Sequence, residues 1–283
     1  MHYGLYGINQ NTLGSPEAAT AVAKVAEDAG FDSIWVGEHV VLPESLTPPP
    51  YMEPTDPILD PIVALSFLAA HTHKILLGTG VIILPQRNPL VLAKELASLD
   101  VLSRGRLAFG LGVGYLEPEM RAIGIPMENR GTRSEEYLKA ILALWTQPSP
   151  VFSGRFVNFD GIQAYPRPVQ RPHPPIVIGG RSQAAHRRAI QYGDGWYGFN
   201  LNLEETAEQI AGLQKAACNY IRCPGLHELE ISVTPRDAIN REDARQYGEL
   251  GVHRLILKLP HNSPINEILT FVRSASISLI APV

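Results

Sequence analysis

Short apolar runs of the β-strand type alternate with longer segments of helical periodicity along this chain of 283 residues. Eight runs are of the β type, over residues 5–8, 33–36, 75–84, 106–110, 175–178, 196–199, 229–233 and 255–259. Strands that alternate with helices pair in parallel. Eight such units with continuous apolar strands favour a closed barrel, and an open doubly wound sheet is the competing architecture.

Helix start signals and the spacing of the units define the rest of the fold. Ser15 followed by Pro16 predicts a helix N-terminus, because a serine cap and a proline in the first turn are both favoured there. Between the fourth and fifth strands the pattern adds a helix over residues 134–145 and a small hairpin over residues 151–159. No proline- or serine-rich linker divides the chain. The sequence predicts an α/β protein, a single (β/α)8 TIM barrel over residues 1–283 with a helix-hairpin insertion between strands 4 and 5.

Composition argues against several functional classes. A formal net charge of -4 argues against nucleic acid or an anionic membrane as partner, since both attract basic proteins. No apolar run reaches the roughly 20 residues of a membrane helix, and the N-terminal residues lack the pattern of a signal peptide. We therefore expect a cytoplasmic protein. Without further ligands nearby, Cys218 and Cys223 are expected to be free thiols, and no metal site is predicted.

The chemistry of a parallel barrel lies where strands end and loops begin, on the C-terminal face. Glu38 and His39 directly follow the second predicted strand and precede a proline-rich loop over residues 40–60. A histidine in this place either caps the structure or exchanges protons with a ligand, because its charge changes near neutral pH. Long structureless loops in compact domains are usually functional or disordered, and we expect this one to cover the substrate.

Glycines cluster at the third and fourth strands. Gly78-Thr79-Gly80-Val81 lies inside the third strand, where glycines mark a packing kink, a bulge or a close approach of the backbone. Gly110-Leu111-Gly112-Val113-Gly114 follows the fourth strand, with Glu117 close behind. The second motif lacks the glycine spacing and the acidic strand end of a dinucleotide-binding fold. We interpret its glycines as room for a flat ring to approach the backbone, with Glu117 near it.

The fifth predicted strand is joined to a helix through Gly179-Gly180-Arg181-Ser182. Backbone N–H groups at a helix start form an anion site where glycines permit close approach, and Arg181 adds a positive charge. A plain tight turn is the alternative interpretation. These four residues are therefore a candidate phosphate site.

The motifs, taken in order, resemble a known family. The series begins with Glu38-His39 and continues over residues 77–81, 87–89, 99–106, 110–114, 168–170, 174–180 and 193–196. It resembles the luciferase-like monooxygenase superfamily and, within it, the deazaflavin (coenzyme F420)-dependent oxidoreductases. The likeness covers about residues 2–200; beyond them only the barrel rhythm continues.

The resemblance implies roles for particular residues. It implies a non-prolyl cis peptide at Gly80-Val81, packed against the back of the cofactor ring, and a phosphate site at residues 179–182. It also implies that His39 and Glu117 handle the proton in catalysis. The predicted cofactor-binding residues are Glu38, Thr79, Gly80, Val81, Gly112, Val113, Gly114, Gly179, Gly180, Arg181 and Ser182.

The activity that the resemblance implies is hydride transfer between C5 of coenzyme F420 and a small organic substrate, with the protein supplying position and electrostatics. Two alternatives stay open. One is a monooxygenase that uses reduced FMN delivered by a separate reductase, and the other is a non-catalytic flavin-binding relative. The resemblance also implies a homodimer built on the helices after the second and third strands. Leu65, Leu68, Leu92 and Leu96 are expected to supply its apolar faces.

Overall fold

The computed structural model describes residues 1–44 and 52–281. Its strands are β1 (His2–Tyr6), β2 (Ser33–Val36), β3 (Leu76–Thr79), β4 (Ile82–Ile83), β5 (Leu107–Gly112), β6 (Phe152–Ser153), β7 (Asn158–Phe159), β8 (Ile176–Gly179), β9 (Gly195–Leu201), β10 (Glu230–Pro235) and β11 (Arg254–Lys258). Its α-helices are α1 (Pro16–Asp28), α2 (Pro61–His71), α3 (Pro89–Leu102), α4 (Glu117–Ala122), α5 (Arg130–Thr146), α6 (Gln183–Tyr192), α7 (Leu203–Asn219), α8 (Arg241–Glu249) and α9 (Ile265–Ala275).

Parallel strands close into a barrel. The neighbours run in the order β3-β2-β1-β11-β10-β9-β8-β5, and pairing between β3 and β5 closes the ring. The short strand β4 continues the third barrel strand after a break and also pairs with β5. The predicted (β/α)8 barrel is therefore confirmed, and the open sheet is excluded. The predicted insertion is present as well, because α5 and the antiparallel β6–β7 hairpin lie between β5 and β8.

Side chains alternate between the barrel interior and the layer beneath the helices, as the two-residue period of a strand requires. The interior cluster consists of Trp35, Ala108, Val177, Tyr197 and Ile256. Leu65, Leu68, Leu92 and Leu96 belong to the outer layer and are at most 1% exposed. The prediction that these four leucines form a dimer surface is wrong, because they lie on the inner faces of α2 and α3 and pack against their own barrel.

Two buried charges explain the motif over residues 99–106. Asp100 accepts hydrogen bonds from the backbone N–H groups of Val169 and Gln170, at 2.7 and 3.1 Å. The Arg106 guanidinium donates five bonds of 2.8–3.0 Å to oxygens of Ala69, Thr72, Ile75 and Ser103. Arg106 thereby satisfies carbonyl groups at the C-terminal end of α2, which a helix leaves without partners. This motif is scaffold and does not lie at a ligand site.

Glu27 satisfies backbone N–H groups just before β3. Its carboxylate accepts backbone N–H bonds from His73, Lys74 and Ile75, at 2.9, 2.6 and 2.9 Å for Oε2. Burial raises the pKa of Glu27, but these backbone donors outweigh it and leave the pKa below its ordinary value. The turn between α2 and β3 is therefore held by an ionised side chain from α1.

The loop after β2 returns beside the barrel mouth. Of the loop predicted over residues 40–60, residues 45–51 lie outside the described part of the chain. Asn9 holds the two ends of this loop together, because its side-chain amide donates to Gly37 O at 2.9 Å and to Leu59 O at 2.7 Å. His261, in the loop after β11, pairs with Asp56 at 3.3 Å. Within the described residues, no helix combines the length and apolarity needed to cross a bilayer.

Candidate active site

A bulge at the C-terminal end of β3 opens the barrel mouth. The Gly80-Val81 peptide is cis, as the resemblance implies. Gly80 N donates to Val36 O at 2.7 Å. The Thr79 hydroxyl donates to Gly110 O at 2.7 Å and accepts from Gly110 N at 2.8 Å. Thr79 is fully buried, so it ties the bulge to β5, and the prediction that it contacts the cofactor is not supported by this geometry.

Glycines on two neighbouring strands make room for the Val81 side chain. A Cβ atom on Gly112 would lie 2.8 Å from Val81 Cγ2, and one on Gly179 would lie 2.9 Å from Val81 Cγ1. On Gly110 a Cβ atom would lie 1.8 Å from the Thr79 carbonyl oxygen. The glycines that were predicted to let a ring approach the backbone therefore make room for the Val81 side chain. Half-buried Val81 is the apolar surface that the bulge presents.

Aromatic rings fill the barrel beneath the bulge. A Cβ atom on Gly80 would lie 3.1 Å from Tyr197, 3.5 Å from Trp35 and 3.6 Å from Tyr6. Trp35 stacks on Tyr197 with ring centroids 5.7 Å apart, and Tyr6 lies 4.9 Å from Phe199 by the same measure. Glycine suits position 80 because these rings occupy the space that a side chain would need.

Glu38 fixes the strand segment that follows the bulge. Its side chain is 1% exposed and is paired with Arg87, whose Nε donates at 2.7 Å. The other carboxylate oxygen accepts the Ile83 N–H at 2.5 Å. Burial raises the pKa of Glu38, and the Arg87 guanidinium opposes that shift. The prediction that Glu38 touches the cofactor is corrected, because both carboxylate oxygens are engaged by groups that shape the third barrel strand.

His39 lies at the mouth and is held by Glu119. The distance from His39 Nδ1 to Glu119 Oε2 is 3.0 Å, and Glu119 Oε1 accepts the Val40 N–H at 2.7 Å. The Glu119 side chain is 1% exposed and that of His39 is 16% exposed. The ring of Tyr115 lies edge-on to His39, with centroids 6.1 Å apart. A buried carboxylate therefore orients a histidine that reaches solvent.

Glu117 does not join this pair. It is the first residue of α4 and forms an ion pair with Arg121, with both side chains more than half exposed. The structure brings Glu119 to His39 where the sequence analysis expected Glu117. The buried residues of this segment are Leu116, Glu119 and Met120. Their i, i+3, i+4 spacing is the signal that identifies the inward face of a helix, and it could have selected Glu119.

The end of β5 turns at Gly114, where φ is +79°. A Cβ atom there would lie 2.8 Å from Ile83 Cγ2, so the turn packs directly against the bulged strand. Arg130 Nε donates to Gly114 O at 3.2 Å. Val113, which precedes the turn, is half-buried. The predicted residues Val113 and Gly114 thus border the mouth next to α4.

The predicted phosphate residues lie together at the end of β8. Gly180 has φ of +122°, and its carbonyl accepts the Trp196 indole N–H at 2.8 Å. Ser182 caps α6 by accepting the Ala185 N–H at 3.2 Å. Arg181 turns its guanidinium to carbonyls at the end of β9. The exposed first turn of α6 offers N–H groups and a partial positive charge that suit an anion.

Two relatives of known sequence resemble this chain. A relative from Mycobacterium tuberculosis, an uncharacterized protein, is 32% identical over 278 residues, with 93% of each chain covered. The oxygenase component of a flavin-dependent trigonelline monooxygenase from Acinetobacter baylyi is 31% identical over 227 residues, which are 79% of this chain and 60% of the relative.

Solved structures share the fold at lower identity. An F420-dependent secondary alcohol dehydrogenase superposes with a TM-score of 0.80 at 17% identity, covering 98% of both chains. At that identity the likeness shows the fold alone. The sequence profile of the luciferase-like monooxygenase family matches residues 3–275. The chain therefore belongs to the luciferase-like monooxygenase family, whose members are oxidoreductases.

Proposed function

We propose that this protein is an oxidoreductase that transfers a hydride between C5 of coenzyme F420 and a small organic substrate. The observation that carries the proposal is the His39–Glu119 pair, positioned at the barrel mouth next to the Gly80-Val81 bulge. A half-buried histidine oriented by a buried carboxylate suits proton transfer, and it argues against a non-catalytic flavin-binding protein.

Glu119 determines which ring nitrogen of His39 carries the proton. A carboxylate only accepts hydrogen bonds, so Nδ1 of His39 carries the proton that Glu119 receives. Nε2 then has the lone pair, and it accepts or returns the proton that accompanies hydride transfer. When bound, the deazaflavin supplies the redox chemistry itself. The protein contributes orientation at His39 and an apolar support at Val81.

The residues present fit the cofactor. Gly180 adopts a positive φ just before α6, and the exposed first turn of that helix suits a phosphate. Arg181, directly before Ser182, is the cationic residue of this segment, and its guanidinium binds carbonyl groups of β9. Val81 would support one face of the ring, on a bulge that Thr79 and Glu38 hold in place.

A monooxygenase that uses reduced FMN is the second candidate. It is favoured by the 31% identical relative, whose name describes a flavin-dependent oxygenase component. The F420 assignment is supported by the ordered motifs, from Glu38-His39 to residues 193–196, which resemble those of the deazaflavin-dependent oxidoreductases. The two candidates differ in the cofactor and in the need for a separate reductase.

Titration of the cofactor-free protein with F420 and with FMN, followed by fluorescence, tests the proposal. We expect F420 to bind at least tenfold tighter, a difference of about 1.4 kcal/mol. Equal affinities, or tighter binding of FMN, favour the monooxygenase.

Gly180→Asp should weaken binding of either cofactor by placing a carboxylate at the phosphate site, with little change in the thermal midpoint of the free protein. Unchanged binding would make residues 179–182 a simple turn.

We also propose that the protein is a homodimer, built on the exposed faces of α2 and α3 and not on the four buried leucines. The exposed apolar side chains of α2 and α3 include Val63 (67% exposed), Phe67 (39%) and Val91 (56%). Light scattering at micromolar concentration should give twice the monomer mass, and Val63→Glu should lower it. A monomeric wild type would contradict this arrangement.

A further inference from the structure

Lys258 places a positive charge at the top of the barrel. It is the last residue of β11 and follows Arg254 and Ile256 on the inward-facing side of that strand, since side chains alternate. Ile256 belongs to the interior cluster, and Lys258 lies beside Tyr6 in the register of β1 and β11. The Lys258 side chain therefore leaves β11 at the C-terminal end of the barrel, level with Tyr6.

Neutral oxygen atoms hold the ammonium in this position. Lys258 Nζ donates to Asn200 Oδ1 and to Arg236 O, both at 2.7 Å. Asn200 has φ of +60°, and its carbonyl oxygen also accepts from Arg181 at 3.0 Å. Two cationic side chains, one from the end of β11 and one from the turn after β8, thus both bind Asn200 in β9.

Burial and charges of both signs act on the Lys258 amine. Burial lowers the pKa of the Lys258 amine, the carboxylate of Asp237 opposes this shift, and Arg236 adds to it. Arg236 is itself paired with Glu205. A negatively charged ligand next to Lys258 would stabilise the ammonium that burial disfavours.

Tyr6, the register partner of Lys258, belongs to an aromatic pair. Tyr6 and Phe199 come from β1 and β9, the strands on either side of β10 and β11, and their ring centroids are 4.9 Å apart. His39 follows β2, the strand next to β1 on its other side. The order around the mouth is therefore proton-handling histidine, aromatic ring, ammonium.

We propose that the substrate is an anion, with its carboxylate or phosphate group bound to Lys258 and its apolar body against Tyr6 and Phe199. This proposal rests on the proposed function, because it takes the mouth to be the substrate site. An ionic hydrogen bond at one end and the aromatic pair along the body would position the reacting carbon on the side of His39. The structure thereby favours small organic acids over neutral alcohols of the same shape.

Matched probes test the inference without knowledge of the natural substrate. Benzoate and benzamide have nearly the same shape and differ in charge, and inorganic phosphate probes the anion alone. Binding to the cofactor-loaded protein is followed by the change in cofactor fluorescence and by the thermal midpoint. We expect benzoate to bind at least tenfold tighter than benzamide.

Variants assign that preference to Lys258. Lys258→Met and Asn200→Asp should each remove it, the first by deleting the charge and the second by neutralising it with a residue that tolerates the positive φ. Lys258→Arg should retain it. Lys215→Met, on an exposed position of α7, is the control and should behave as the wild type.

The outcomes separate this inference from the proposed function. If neither F420 nor FMN binds, the proposed function fails, and the benzoate preference is then read on the free protein. Equal binding of benzoate and benzamide overturns the inference. It is also overturned if Lys258→Met weakens F420 binding as much as it weakens benzoate binding, because the amine would then serve the anionic tail of the cofactor. F420 binding within twofold of wild type supports the substrate assignment.

Discussion

Glu119→Gln is expected to reverse the tautomer of His39. In the native protein, one oxygen of Glu119 accepts the Val40 N–H at 2.7 Å and the other lies 3.0 Å from His39 Nδ1. A glutamine has one oxygen and one amide nitrogen, and the Val40 N–H needs the oxygen. The amide nitrogen then faces Nδ1, which must become an acceptor, and the imidazole proton moves to Nε2.

The magnitude follows from burial. The opposite amide orientation would set two N–H donors against each other next to Val40, where the Glu119 side chain is 1% exposed. A buried donor without an acceptor costs about 1–3 kcal/mol. The reversed tautomer should therefore outnumber the native one by roughly 5- to 150-fold. With the proton on Nε2, His39 can no longer accept a proton there.

Long-range ¹H–¹⁵N correlation spectra of protein labelled with ¹⁵N-histidine distinguish the two tautomers. Once a substrate has been identified, turnover in the variant should fall by roughly 5- to 150-fold, the factor by which the inactive tautomer outnumbers the active one. Glu117→Gln is the matched control, two residues away and exposed, and it should change neither measurement. The reasoning is refuted if His39 keeps its proton on Nδ1 in the Glu119 variant, or if that variant turns over normally.

Three further substitutions test the scaffold and the mouth. Arg106→Met removes the donors of five hydrogen bonds and should cost about 3–5 kcal/mol of unfolding free energy, with a thermal midpoint roughly 10 °C lower; an unchanged midpoint would contradict the role given to Arg106. The folded-state pKa of Glu27 lies below its ordinary value of 4.5, so its stabilisation is present above that value and is lost as the pH falls through the folded pKa. The midpoints of wild type and Glu27→Gln should therefore differ at pH 7 and converge in acid, and a constant gap would count against the three backbone bonds. Gly110→Ala would bring a Cβ atom to 1.8 Å from the Thr79 carbonyl oxygen and should abolish cofactor binding in a fluorescence titration, whereas Gly248→Ala, on α8, should bind normally.

The fold is predictable from the sequence because each barrel strand is apolar and each is followed by helical periodicity. Such local patterns can be recognised in a sequence without knowledge of distant contacts. The third barrel strand shows the limit, since residues 75–84 are predicted as one strand and the structure divides them into β3 and β4. Apolar periodicity carries no signal for the cis peptide between them. Its place at Gly80-Val81 came from the resemblance, and the structure confirms it.

Side-chain roles are less predictable, because they depend on which face of an element turns inward. Glu38, next to His39 in sequence, points to Arg87 and the backbone of Ile83 and supports the bulge. Glu117 and Glu119 are separated by one residue on a short helix, so they face different surroundings. Glu117 was predicted because it follows the glycine motif closely. The pattern of buried residues in α4 identifies Glu119 as the inward-facing glutamate instead.

The motifs that reveal the family are mostly parts of the framework. Asp100 and Arg106 hold loops on the N-terminal side of the strands, Thr79 secures the bulge, and the glycines at positions 112 and 179 seat Val81. Such residues specify where a ring can lie, and they are compatible with more than one substrate. The substrate must be distinguished by groups that face the mouth and belong to no motif. Among the described residues, we propose Lys258 and the Tyr6–Phe199 pair for this role, which places the choice of substrate at β1, β9 and β11 and outside the motifs.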